Sequence, residues 1–212
     1  MKIRTTLFLL LTLLFSPYNL LAQKTLLLID HDIKITGTSN LFNWWSIIEK
    51  AGLEEQLHKK NPRDLGICVK VNVQELRSSG GFIMNNIMQK ALKAKEYPYI
   101  YLRIKTFNRV EKIKNYYKIW ATGSLNVAET NKQINFNLIA QENNKSQLIL
   151  MGDFPLKMTE YGITPPVIFN GNIRTDDEIR LRFKFILRST IPMPASERID
   201  SLISTCFQLK SP

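Results

Sequence analysis

Apolar and polar residues alternate with period two along most of this chain. Leu65, Ile67, Val69, Val71 and Val73 are separated by Gly66, Cys68, Lys70 and Asn72. The same rhythm runs through Ile100–Ile104, Ile119–Val127, Ile134–Ala140 and Leu148–Met158. It is cleanest at Ile179, Leu181, Phe183, Phe185 and Leu187, set against Arg180, Arg182, Lys184 and Ile186. Successive side chains of a strand point to opposite faces, so each run has one dry and one wet face. Strands of a parallel sheet covered on both sides would read as continuous apolar runs. With a further strand at Ile33 and Ile35, seven or eight strands joined by polar segments predict an all-β antiparallel sandwich or barrel.

Two segments break this rhythm. After Gly80-Gly81, residues Phe82 to Lys95 repeat at helical spacing: Ile83, Ile87, Ala91 on one line and Met84, Met88, Leu92 on the next. This predicts a helix with a broad apolar face, with Pro98 just beyond its end. Pro192 and Pro194 end the last strand, and Ala195 to Leu209 read as a short C-terminal helix with the stripe Ile199, Leu202, Ile203 and Cys206. Asn43 to Lys60 fits either a helix or two irregular edge strands.

The first 22 residues have a different character. Lys2 and Arg4 precede an apolar run from Leu7 to Phe15, Ser16 and Pro17 break it, and Ala22 precedes Gln23. This is the layout of a secretory signal peptide cut after Ala22, and the run is too short for the roughly 20 residues a membrane span needs. The chain then divides into a signal peptide (1–22), a barrel domain (23–190) and a tail helix (191–212), with a periplasmic or secreted destination. No transmembrane segment is expected.

The formal charge is +11, of which Lys2 and Arg4 contribute two. A basic excess suits nucleic acid or an anionic surface. Export argues against nucleic acid and leaves anionic lipid, a phosphorylated ligand or a simple solubilising charge. Cys68 and Cys206 permit one disulfide in an oxidising compartment. Such a bridge would clamp the tail to the outer barrel wall; alternatively the two are separately buried as small apolar side chains.

Catalytic patterns are absent. His31 and His58 have no companion at metal-ligand spacing, so no metal or cofactor is expected. Asp30-His31-Asp32 reads as a polar turn entering a strand. There is no Gly-x-Ser-x-Gly elbow and no Walker-type loop. Asp30, Asp153 and Glu160 would serve as acid or base only if one pointed inward among apolar side chains.

Four stretches resemble the YceI-like lipid/polyisoprenoid-binding family of secreted bacterial proteins. The first is Ile35-Thr36-Gly37-Thr38-Ser39-Asn40-Leu41-Phe42-Asn43-Trp44. The second runs from Val71 through the Gly-Gly turn to Met88-Gln89-Lys90-Ala91-Leu92-Lys93-Ala94 and Glu96-Tyr97-Pro98-Tyr99-Ile100. The third is Ala121–Leu125 with Thr130–Ile134. The fourth is Phe154–Pro166, leading to Asn172–Ile179. Phe42 and Asn43 stand where the family commonly has His and Asp, so a role of that pair would be missing here.

The resemblance implies an eight-stranded antiparallel lipocalin-like barrel with one helix between strands, and Trp45–Leu57 extended rather than helical. It also implies an apolar cavity holding an isoprenoid or other long-chain lipid. The residues expected to line it are Ile67, Val69, Val71, Phe82, Met84, Met88, Leu102, Leu125, Phe136, Leu138, Leu150, Phe154, Phe183 and Phe185. Tyr97, Tyr99 and Tyr101 fit either a rim to the mouth or, more commonly for aromatic edge residues, simple strand formers. No catalytic residue is expected, and a homodimer is left open. A filled barrel that only displays its loops, or an enzyme acting on a lipid inside the cavity, are the alternatives.

Overall fold

β-Branched and aromatic residues dominate the alternating runs, and each run forms a strand. The computed structural model describes residues 26–54, 67–143 and 147–189. Its strands are β1 (Leu26–Ser39), β2 (Asn43–Ile48), β3 (Ala51–Leu53), β4 (Ile67–Asn72), β5 (Leu76–Ser78), β6 (Tyr99–Ile113), β7 (Tyr116–Val127), β8 (Thr130–Glu142), β9 (Leu148–Lys157), β10 (Val167–Ile168) and β11 (Ile173–Ser189). Helix α1 spans Gly81–Ala91.

The strands form one antiparallel sheet in the order β3-β4-β6-β7-β8-β9-β11-β1-β2-β5, with β10 paired to β11. The two ends of this order are joined through the chain. Only Glu49 and Lys50 separate β2 from β3, and one 3-10 turn, Val73–Glu75, separates β4 from β5. The Glu49 N–H donates to the Glu75 carbonyl at 3.1 Å across this seam. The sheet therefore curls into a barrel. Eleven strands stand where eight were expected, because two staves bend and are each split in two, and β10 is a two-residue stub. The segment that fitted either helix or strand is extended as far as Leu53.

The period-two prediction of the faces is visible in burial. Along β11, Leu181, Phe183, Phe185 and Leu187 are buried while Arg180, Arg182, Lys184 and Arg188 are exposed. Asp30, His31 and Asp32 lie within β1, which starts earlier than Ile33; they do not form a turn. β11 runs to Ser189, and the predicted tail helix lies outside the described residues. α1 is shorter than predicted. Lys93 takes φ 52°, a left-handed conformation that no helix continues.

One half of the interior is solid. Phe136, Phe154, Phe183 and Phe185 pack in series, the last two stacked at 4.5 Å between ring centres. Leu138 and Leu150 fill the space around them. Gly152 is the register partner of Phe183, and a Cβ there would overlap that ring. Gly152→Ala is therefore expected to overpack the core and destabilise by about 1–3 kcal/mol. The pair Gly152→Ala with Phe183→Leu should recover most of the loss. Thermal melts of the single and double variants check this, and additive losses would contradict it.

Cys68 lies on the outer wall, as its place opposite Val69 predicts, yet it is buried. It is a free thiol whose Sγ donates to Glu54 at 3.5 Å, so the proposed bridge to Cys206 is not what holds it; Cys206 lies outside the described residues. Burial pushes the thiol up to about 11, outweighing nearby Arg103, which favours the thiolate. At pH 8 the native thiolate fraction is then about a hundredfold below that of an ordinary thiol, and thiol reagents should label Cys68 quickly only after unfolding. The stability held by the neutral thiol is full below the unfolded value near 9.0 and is lost as pH rises through about 11. Melting temperatures should fall over that window, and less so in Cys68→Val.

Candidate functional site: an apolar cavity under a helix

The register places the β1–β2 turn, α1, the β7–β8 turn and residues 158–172 at one end of the barrel. A cavity of about 130 Å³ lies inside this end. Its wall is built from the dry faces of seven staves: Ile33 and Ile35 of β1, Trp44 and Ile48 of β2, Val69 and Val71 of β4, Ile100 and Leu102 of β6, Leu125 and Val127 of β7, Leu156 of β9, and Ile179 and Leu181 of β11. Phe183 and Phe185 also border it, where the aromatic series begins. Met84, Met88, Ala91 and Leu92 close it from α1, and Met158, Tyr161, Ile163, Pro166 and Thr175 complete the mouth.

Of the residues predicted to line it, Val69, Val71, Met84, Met88, Leu102, Leu125, Phe183 and Phe185 do so. Ile67, Phe136, Leu138, Leu150 and Phe154 face inward but belong to the filled half. Phe82 is a clear departure: it is 78% exposed, because it stands about 200° around the helix axis from Met84, on the side of α1 away from the cavity. Tyr99 and Tyr101 sit on the outer wall beside Lys70, at 4.0 and 5.7 Å from ring centre to ammonium, and do not line the mouth. Trp44, Ile48, Tyr161 and Ile163 were missed. Trp44 lies in the first family-like stretch and Tyr161-Gly162-Ile163 in the fourth, so the signal for them was positional, not periodic.

Those stretches have local structural reasons. Gly37 pairs with Trp44, and a Cβ on it would overlap the indole. The indole Nε1 donates to the Thr38 carbonyl at 3.2 Å, fixing the ring over the cavity. Ser39 Oγ accepts from the Leu41 and Phe42 N–H groups and shapes the β1–β2 turn. Asn40 then ties this turn to the loop between β10 and β11, its side chain donating to the Asn172 carbonyl and accepting from the Arg174 N–H. Asp176 accepts from Thr38, and Asp177 accepts from the Thr159 hydroxyl and N–H. Those two donations hold the Asp177 carboxyl below the usual aspartate range. Pro165 and Pro166 lie in the irregular link before β10.

α1 is anchored at both ends but deeply buried nowhere. Asn85 accepts from the Ser78 N–H, Ser46 Oγ donates to Met88 Sδ at 3.0 Å, and Lys93 pairs with Glu129 at 2.8 Å. Burial pushes the Tyr161 phenol up to about 12, with Glu160 adding to it. Asp153 lies outside, gripped by Arg180 and Arg182, and Glu160 faces Lys132. Asp30, also exposed, accepts from the His31 N–H. Among the described residues no cluster of His, Cys, Asp or Glu could hold a metal ion, and no helix is long and apolar enough to cross a membrane.

A curled antiparallel barrel with a helix over one end and a carbon-lined cavity beneath it defines a lipocalin-like class. Within that class, this chain belongs to the family of YceI-like domains, whose sequence pattern it matches over residues 23–187. The fold resembles that of BcnA from Burkholderia cenocepacia, at 13% identity and TM-score 0.56, over 74% of this chain and 96% of that one. It also resembles a polyisoprenoid-binding domain from Saccharophagus degradans, at 7% identity and TM-score 0.61, over 79% and 99%. No protein of curated function matches its sequence.

Proposed function

We propose that this chain is an exported, non-catalytic carrier that binds an apolar chain, an isoprenoid or similar lipid, in the cavity beneath α1. The carrying observation is the lining itself. Nearly every group facing the cavity is an aliphatic, thioether or aromatic side chain, while Asp30, Asp153 and Glu160 are engaged elsewhere. Membership of the YceI-like family and the likeness to a polyisoprenoid-binding domain support this reading. The N-terminal pattern supports export, with the cut after Ala22 and a periplasmic destination.

Burial supplies the affinity, at about 0.8 kcal/mol per CH₂. A five-carbon unit thus contributes about 4 kcal/mol before association costs are subtracted. An apolar cavity of about 150 Å³ takes a benzene-sized group. The 130 Å³ here accordingly seats one terminal unit, and the rest of a longer chain must pass the mouth or displace α1. Met84 and Met88 suit that task, since thioether side chains repack easily.

Mass spectrometry of organic extracts from export-purified protein is expected to find one class of long-chain lipid near one per chain, and N-terminal sequencing to begin at Gln23. Protein that yields no lipid and takes up no isoprenol when it is offered would refute the reading.

A further inference from the structure

Six large apolar side chains surround the cavity mouth without covering it. Leu41 and Phe42 lie in the β1–β2 turn, Phe82 and Ile83 in the first turn of α1, and Val167 and Phe169 at β10 and its loop. They come from three separate parts of the sequence and are held at one end by the Asn40–Arg174 and Asn40–Asn172 bonds and by the Ser79 N–H donating to the Trp45 carbonyl. Eleven large apolar side chains are exposed among the described residues. Scattered single ones need no explanation, but six around one opening do.

Phe169 adds an independent sign. Its φ of 52° places a bulky residue in the left-handed region, followed by Asn170 at 53° and Gly171 at 94°. Asn and Gly adopt that conformation readily, whereas Phe does so at a cost. The phenyl ring is nevertheless 68% exposed and gains little packing in return.

We propose that this end of the barrel docks on an anionic lipid bilayer, with the six side chains inserted below the headgroups. The proposal rests on the cavity being a lipid site and names where its lipid is exchanged. The rim and the cavity share the same segments: Trp44 follows Phe42, Met84 follows Ile83, and Pro166 precedes Val167. A lipid leaving here therefore passes from apolar wall to bilayer without exposing its chain to water. A protein partner would not need that continuity. Without Lys2 and Arg4, which leave with the signal peptide, the chain keeps a charge of +9, which favours an anionic surface. Arg174 and Lys90 stand on the rim segments; of the carboxylates at that end, Asp176 and Asp177 accept from Thr38 and Thr159, Glu129 pairs with Lys93 and Glu160 with Lys132.

The test is co-sedimentation of export-purified protein with phosphatidylcholine vesicles, with and without phosphatidylglycerol. The triple variant Phe82→Ser, Ile83→Ser, Phe169→Asn removes three exposed groups, and Asn suits the left-handed position, so its melting temperature should not fall. The unaltered protein is expected to pellet with the anionic vesicles. The variant's bound fraction should drop at least about tenfold, with its uptake of a short fluorescent isoprenol unchanged. Unaltered protein that stays in the supernatant, or a variant that pellets equally, overturns the proposal. So does a rim-dependent dimer that ignores vesicles. Isoprenol uptake without vesicle binding sinks the docking surface alone, whereas vesicle binding without uptake sinks the cavity reading and leaves the surface standing.

Discussion

Leu138→Asp is expected to leave the chain unfolded. Leu138 is completely buried, opposite Ile119 on one neighbouring strand and Gly152 on the other, beside the aromatic series that ends at Phe185. Losing the leucine costs about 2–5 kcal/mol. An unpaired carboxylate there adds several more, or forces its own protonation. Together these approach the whole stability of a domain, about 5–15 kcal/mol. The neighbouring substitution Ile139→Asp is the control. Ile139 lies on the wet face of the same strand, 40% exposed and paired with Lys118, so its loss should change stability by about 0.5 kcal/mol or less. Near-ultraviolet circular dichroism and soluble yield distinguish the two. Equal effects would mean that the alternation does not assign faces.

Ala91→Trp is expected to empty the cavity of ligand while sparing the fold. Ala91 projects from the last turn of α1 into the cavity and is only half-buried, so a larger side chain there fills existing space instead of displacing core atoms. Excluding one five-carbon unit removes about 4 kcal/mol of burial, close to a thousandfold in affinity. Lipid extracted from the variant should fall at least about tenfold, with a melting temperature equal to or above that of the unaltered protein. Undiminished lipid would move the binding site away from α1. Destabilisation without lipid loss would mean that the space is needed for packing alone.

Both experiments turn on a distinction that the sequence carries only in part. Leu138 and Leu102 are indistinguishable in the pattern: each is an inward residue in an alternating strand. One lies in the solid half and the other lines the cavity. Period two reports the side of a strand and says nothing about what stands opposite once the sheet has curled. The four aromatic rings in series fill their half because β8, β9 and β11 meet in one register, with Gly152 opposite Phe183. Phe82 shows the same limit on a helix. The apolar face of α1 was legible, but the docking of α1 on the barrel decides which of its apolar side chains reach the cavity: Met84, Met88, Ala91 and Leu92 do, and Phe82 does not.

The sequence by itself determined the all-β class, the inward and outward sets on each strand, the helix after Gly80-Gly81 and the family-like stretches, because these are local consequences of side-chain period and turn chemistry. Only the tertiary structure decided that the split staves β2/β3 and β4/β5 close the sheet, that Asn40 joins two distant turns, and that a cavity survives beneath α1. Closure, register and helix docking are contacts between residues far apart in the chain, and their geometry is set by how all the staves fit together, which no single segment encodes.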